Sequence, residues 1–341
     1  MTASRTARNQ SAAFALLDLV QGSVITQALH VAARLGIADI LSGGPLTATE
    51  IAGKADADPE AVHRLLRTLS GYSVFAETDD GRFELTPMAE ALREDAPDSM
   101  RDLAVLMGHP LFWEEWGHLL ETVRTGKANL PELRGMAAFD FLMSHPEYAA
   151  TFFQGMANLS GPETEPVAAA HDFSRFDTLV DVGGGRGTLL AAILTRASAS
   201  RGILFDAPHA TADAGPVLAS AGVADRCAIE NGSYFEGVPA ADAYLLKHTL
   251  HDFTEPQCLA VLKNIREAIK ADGAVYVIEY VLPEHNEHHV GNIIDLWLML
   301  LLGAKERTAE QYARLFSDAG FKLSRVIPTA SPVSIIEAVP A

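Results

Sequence analysis

Along the first seventy residues the apolar positions recur at helical spacing. Phe14, Leu17, Val20 and Val24 continue into Ala28, Val31 and Leu35, and Gly36 is expected to stop the helix. Thr47, with Glu50 three residues on, forms a capping-box pattern ahead of Ile51 and Ala52. Pro59 opens the next helix, which carries Val62, Leu65, Leu66 and Leu69 on one face. Gly71 to Ala76 and Gly81 to Thr86 then read as a short hairpin turning at Asp79-Asp80-Gly81.

Three short helices followed by a small hairpin predict a winged helix. Such a unit commonly meets DNA, but Lys54, His63, Arg64 and Arg67 are offset by Asp56, Asp58 and Glu60. A face this mixed does not track phosphates, and an interaction or dimerisation role fits it better. Residues 99–160 predict a further all-helical stretch rich in large apolar groups, from Met107 and Trp113 to Phe139, Met143, Phe152 and Met156. Most are expected in a core and a minority in an aromatic and methionine-lined pocket. Gly161-Pro162 to Pro166 reads as a hinge.

Beyond Phe176 the period changes. Strand-like runs at 178–182, 202–206, 227–230, 242–247 and 274–280 alternate with helical stretches at 188–197, 213–221 and 257–270. Repeated βα units imply a parallel, doubly wound sheet. Two final strands, Lys322 to Ile327 and Val333 to Ala338, have no helix between them and predict an antiparallel pair. The organisation is therefore 1–98 winged-helix-like, 99–165 a helical linker contributing to an acceptor pocket, and 166–341 an α/β domain.

Composition narrows the partners. A net charge of -18 argues against nucleic acid or an anionic membrane as principal partner. Cys227 and Cys258 form no CxxC pair, which reads as a reduced, cytoplasmic protein without disulfides or structural zinc. Met1 to Gln10 is polar and lacks a leader's apolar core. The longest apolar run, Ile293 to Leu302, is interrupted by Asp295 and falls short of the roughly 20 residues a bilayer needs. It is expected to be a buried helix.

The chemistry concentrates at strand ends. Asp181-Val182-Gly183-Gly184-Gly185-Arg186-Gly187-Thr188 is a strand running into a glycine turn and a helix. Thr188 stands where a dinucleotide fingerprint has its third glycine, which weakens the nicotinamide reading, and no Walker lysine follows. Asp206 ends the next strand, where an acid accepts hydrogen bonds from ribose hydroxyls. These features together point to a nucleoside. Lys247-His248-Thr249-Leu250-His251-Asp252-Phe253 ends the fourth strand, so His251 lies on a strand-to-helix loop beside the expected crevice. Glu279 and Glu306 hold comparable places, and carboxylates beside an imidazole would orient it and raise its basicity. His285, His288 and His289 sit in a polar loop that reads as solvated, not as a metal site.

With these motifs in view, the chain resembles the S-adenosyl-L-methionine-dependent small-molecule O-methyltransferases of the plant caffeate and bacterial polyketide and phenazine type. Asp181 to Gly187, Phe205-Asp206-Ala207-Pro208-His209, Gly232-Ser233-Tyr234-Phe235, Leu250 to Phe253 and Gly303 to Thr308 carry the resemblance, which covers essentially the whole chain. It implies a Rossmann-like class I methyltransferase domain behind a mostly helical, winged-helix-like dimerisation domain, a homodimer, and no metal. It implies that Asp181, Gly183 and Gly185 bind the cofactor, the two glycines passing under its methionine part, that Asp206 holds the ribose, and that Ser233 and Tyr234 flank adenine with Lys247 nearby. His251 would be the general base, bracketed by Glu279 and Glu306. Tyr148, Phe152, Met156, Asp252, Asp295 and Leu298 would meet an aromatic acceptor. Two residues depart from the family pattern: Ser233 replaces the aspartate of plant members, and Phe253 replaces the usual tryptophan. Relatives that use the cofactor without methylating, hydroxylating or decarboxylating an aromatic polyketide instead, are the alternative.

Overall fold

The computed structural model describes residues 11–341. The polar stretch Met1 to Gln10, expected to hold no leader core, lies outside the described residues.

Helices Ala12–Val20 and Gly22–Arg34 precede Gly36, whose left-handed backbone (φ 61°) ends the helical run where the apolar pattern ends. Among the described residues, Ala12–Arg34 is long and apolar enough to cross a membrane by length and composition. Phe14, Leu16, Leu19, Val20 and Val24 on the N-terminal helices are exposed, so an apolar face there is left uncovered.

The capping box forms as expected: the Glu50 amide donates to Thr47 Oγ1 (3.2 Å) and the Thr47 amide to Glu50 Oε2 (2.8 Å). Asp58 caps helix Pro59–Gly71 through the Ala61 amide (2.9 Å). Strands β1 (Leu46–Thr47), β2 (Phe75–Glu77) and β3 (Arg82–Leu85) pair antiparallel in the order β1-β3-β2. They close over Ile37, Ile51, Leu66, Leu69, Phe75 and Phe83, all essentially dry.

The second sheet has seven strands: β4 (Thr178–Val182), β5 (Arg201–Asp206), β6 (Cys227–Asn231), β7 (Ala241–Lys247), β8 (Ile269–Glu279), β9 (Phe321–Pro328) and β10 (Ser334–Pro340). Their order is β6-β5-β4-β7-β8-β10-β9. The first five are parallel, and β10 runs antiparallel to both β8 and β9. Connections step outward from β4 in one direction and then return to β7 on its other side, so the sheet reverses its winding between these two strands. In such sheets ligands bind at the carboxyl ends of the strands flanking the reversal. Val180, Val182, Tyr244, Leu246, Val275 and Val277 pack with Leu262 and Ile265 of helix Glu255–Ala268 to form the core.

Two structural units result. One takes the described residues through Gly117 with Leu142–Gly161; the other takes His118–Phe141 with Pro162–Ala341. The helical stretch 99–165, expected as one linker, is thus divided. Helix Pro146–Ser160 is tied to Arg101–Met107, because Asn158 Oδ1 accepts from the Asp102 and Leu103 amides (2.8 and 3.3 Å). The intervening residues belong with the sheet, where the Asn129 amide donates to the Leu300 carbonyl (3.1 Å). Helix Val290–Leu302 buries Ile294, Trp297, Leu298, Leu300 and Leu301 but exposes Ile293 and Leu296. The expected buried helix therefore forms with one side on the core and Ile293 and Leu296 outside it.

Candidate active site

β4 delivers its glycine turn to the point of reversal. Gly183, Gly185 and Gly187 all have left-handed backbones. A Cβ on Gly184 would fall 2.5 Å from Leu204 and 2.6 Å from the Asp181 carboxylate, so no larger residue fits. A Cβ on Gly185 would meet nothing within 4 Å. The turn is therefore packed tightly beneath and open at Gly185, as a surface for close ligand approach requires. Asp206, at the end of β5, is tied to this turn. Its Oδ2 accepts from the Gly185 amide (2.9 Å) and its Oδ1 from the Ala207 amide (2.7 Å).

Asp181 lies beneath the turn, 1% exposed; neither carboxylate oxygen has a side-chain hydrogen-bond or ion-pair partner among the described residues, and the Leu190 amide stabilises its charge only weakly. Burial, and then the charge of Asp206, raise its pKa to about 7; Lys247 opposes them.

β7 delivers the imidazole. His251 sits in the turn Leu250–Asp252, and its Nδ1–H donates to Glu306 Oε1 (2.7 Å), so the ring's other nitrogen faces away from that carboxylate. Asp252 Oδ1 lies 3.6 Å from that Nε2. Burial alone would lower the His251 pKa, but Glu306 and Asp252 outweigh it and hold the ring at about 10. Burial pushes Glu306 up to about 7, against the opposing pull of His251. Asp252 is raised to about 6, chiefly by burial.

The two glutamates do different things. Glu306 touches the ring, and its own amide donates to Asp295 Oδ1 (2.8 Å), which places Asp295 as a brace for the Glu306 loop. Burial raises the Asp295 pKa. Glu279 does not touch the imidazole by hydrogen bond. Its Oε1 accepts from the Thr249 and His251 amides (3.1 and 3.0 Å), and its Oε2 accepts from the Tyr312 hydroxyl. The expected bracket thus becomes one carboxylate on the ring and one on the backbone that carries it.

Lys247 Nζ lies 3.1 Å from Glu163 Oε2. Beyond β6, Ser233 begins a turn through its carbonyl, which accepts from the Glu236 amide (2.9 Å). Tyr234, Phe235 and Phe253 form an aromatic cluster with centroids 5.0–5.8 Å apart. Burial raises the Tyr234 phenol to about 12, so it stays protonated. Leu298 is buried on helix Val290–Leu302. Tyr148, Phe152 and Met156 lie on Pro146–Ser160 in the first unit, where Tyr148 packs its ring against His109 (4.8 Å).

Sequence reasoning assigned no role to Glu163, Tyr312, His248 or Thr249. Glu163 stands in an ordinary Gly-Pro-Glu turn and carries no local signal. Thr249 carries no sequence signal either; only the fold brings its Oγ1 within 2.9 Å of where a Cβ on Gly183 would sit.

A doubly wound sheet with a glycine turn, a strand-end acid and a buried imidazole–carboxylate pair at its point of reversal defines a class I methyltransferase fold with a nucleoside-cofactor site. The comparisons give the family. Residues 116–322 match the O-methyltransferase domain and residues 17–95 the O-methyltransferase dimerisation domain, so the chain belongs to the O-methyltransferase family. It is 42% identical over 326 residues to the phenazine O-methyltransferase PhzM of Lysobacter antibioticus, covering 95% of each chain. It is 35% identical over 333 residues to the O-demethylpuromycin-O-methyltransferase of Streptomyces alboniger, covering 95% of this chain and 88% of that one. The solved structure of NcsB1, an O-methyltransferase from neocarzinostatin biosynthesis in complex with S-adenosylmethionine and 2-hydroxy-5-methyl naphthoic acid, superposes with a TM-score of 0.80. Its identity is 31%, over 98% of this chain and 100% of that chain. The protein is an S-adenosylmethionine-dependent O-methyltransferase that carries a dimerisation domain.

The residues present fit that cofactor. A buried carboxylate without an ion-pair partner is costly in the empty protein, and a cationic ligand bound near it would offset the cost. Without ligand, Asp181 takes up a proton on folding between its ordinary value of 3.8 and about 7. The folded state binds more protons there, so stability falls as pH rises across that window. The Asp181→Asn protein without ligand is therefore expected to be more stable than wild type at pH 8. The gain is bounded at about 4 kcal/mol, and S-adenosylmethionine should bind it more weakly. Thermal melts with and without cofactor measure both; equal melts at pH 8 would count against an unpaired charge.

Proposed function

We propose that this enzyme methylates a phenolic hydroxyl of an aromatic small molecule, with His251 as the general base. The observation that carries the reading is the buried His251–Glu306 pair at the end of β7, one strand from the glycine turn. The relatives support the acceptor class: one is named for a phenazine, one for puromycin, and one is solved with a naphthoic acid.

Bound S-adenosylmethionine supplies a methyl group on a sulfonium sulfur that needs little activation. Asp206 would accept hydrogen bonds from the ribose, Ser233, Tyr234 and Lys247 would lie toward adenine, and the open backbone at Gly183 to Gly185 would lie under the methionine part. Unprotonated Nε2 of His251 would take the acceptor's hydroxyl proton while the acceptor oxygen gains the methyl and the methyl–sulfur bond breaks, leaving neutral S-adenosylhomocysteine. Glu306 fixes the ring's tautomer through Nδ1 and stabilises the resulting imidazolium. Glu279 fixes the backbone beneath it, and the proton then leaves to solvent. Asp252, beside Nε2, and Leu298 face the acceptor. The apolar N-terminal helices pair two copies into a homodimer of a soluble, cytoplasmic enzyme working in natural-product biosynthesis.

The test is a panel of hydroxylated phenazines, naphthoates and polyketides incubated with methyl-labelled S-adenosylmethionine and chelator, read by mass spectrometry. Label on a hydroxyl with matching S-adenosylhomocysteine is the expected result. Acceptor turnover without S-adenosylhomocysteine would replace methylation with the hydroxylation or decarboxylation alternative.

A further inference from the structure

His248 pairs two costly features at one place. Its backbone is left-handed (φ 49°), a strained conformation for a residue with a side chain. Its Nδ1 is buried with no partner among the described residues. Strain of this kind persists where the surroundings hold a residue for a purpose.

The surroundings are specific. Glu163, on the turn before helix Thr164–Ala170, is buried and accepts three hydrogen bonds. They come from His248 Nε2 (2.7 Å), Lys247 Nζ (3.1 Å) and the Tyr280 hydroxyl (3.0 Å). Burial would raise its pKa, but His248 and Lys247 outweigh that and keep it ionised. A carboxylate only accepts, so His248 carries its proton on Nε2 and Nδ1 is the bare nitrogen. Lys247 already balances the Glu163 charge, and burial lowers the His248 pKa. The ring is therefore neutral at physiological pH.

This neutral ring lies against the base. The His248 and His251 rings stack with centroids 5.0 Å apart and planes 25° apart. Tyr280 packs on the other ring contact of His248 (5.2 Å), and His289 packs on Tyr280 in turn (6.2 Å). The titratable groups around His248 are thus Glu163, Lys247, His251 and Tyr280.

We propose that His248 is a positioning residue for His251: held neutral and in place by Glu163, its ring covers one face of the base and favours the imidazolium that forms during turnover. A flat, uncharged aromatic face attracts a cation, whereas a second charged imidazole at this distance would repel it. The edge of His251 is served by Glu306 and its face by His248. This inference rests on His251 being the general base.

The test compares His248→Ala, which removes the ring, with His248→Phe, which keeps a neutral ring without the Glu163 bond. The His251 titration midpoint is followed by NMR on histidine-labelled protein, alongside the pH profile of turnover. The alanine variant is expected to lower the midpoint by about half to one and a half pH units, and the phenylalanine variant to restore most of it. A purely structural role would change melting temperature in both and move the midpoint in neither, which would overturn the proposal, as would alanine and phenylalanine behaving alike. If the midpoint shifts as expected but the turnover profile does not follow, the failure belongs to the assignment of His251 as base.

Discussion

Replacing His251 with alanine lowers turnover by about two to four orders of magnitude while S-adenosylmethionine binds nearly as before. His251 belongs to the turn after β7, whereas the proposed cofactor cradle is built by β4 and β5. Steady-state rates with binding calorimetry separate the two effects; turnover within a few-fold of wild type would end the assignment. The same residue sets the sign of the pH dependence. A base works only unprotonated, and Glu306 and Asp252 hold His251 at about 10 against the effect of burial. The apparent second-order rate should therefore climb with pH from neutrality toward that value, since kcat/KM reports the free enzyme. Glu306→Gln keeps an acceptor for Nδ1–H but removes the charge, and should move this rise to lower pH.

Replacing Asp206 with alanine weakens S-adenosylmethionine binding by roughly 30- to 1,000-fold. Losing one or two hydrogen bonds to a carboxylate costs about 2–4 kcal/mol. The substitution also frees the Gly185 amide, which donates to Asp206 Oδ2 at 2.9 Å, so the glycine turn loses its tie to β5. Asp206→Asn keeps one side-chain oxygen as acceptor and should fall between the two. Calorimetry on variants with unchanged circular dichroism measures the effect, and an unaltered Kd would remove Asp206 from the ribose.

The sequence by itself determined what depends on near neighbours. Gly36 ends a helix because it alone takes φ 61° without strain, and Thr47 with Glu50 caps the next because the two lie three residues apart. The alternation beyond Phe176 produced the parallel strands, and the glycine run after Val182 produced the turn, since a short apolar strand feeding a glycine turn has few other conformations. Asp181, Asp206, His251 and Glu306 were legible as strand-end or loop residues of a doubly wound sheet.

The tertiary structure decided which of them meet. His248 and Glu163 are 85 residues apart and His251 and Glu306 are 55 apart. Such pairs depend on the strand order around β4 and β7, which the packing of both sheet faces selects and no local pattern encodes. For the same reason Glu279 reaches the backbone of the His251 turn while Glu306 reaches its ring, although both looked equivalent in sequence. Residues 118–141 join the sheet unit and 142–161 the other because Asn129 and Asn158 find backbone partners on different elements. Helical periodicity marks an apolar face on Ala12–Arg34 and Val290–Leu302 alike; only the fold shows which of those side chains are left exposed, because burial is a property of neighbours brought from elsewhere in the chain.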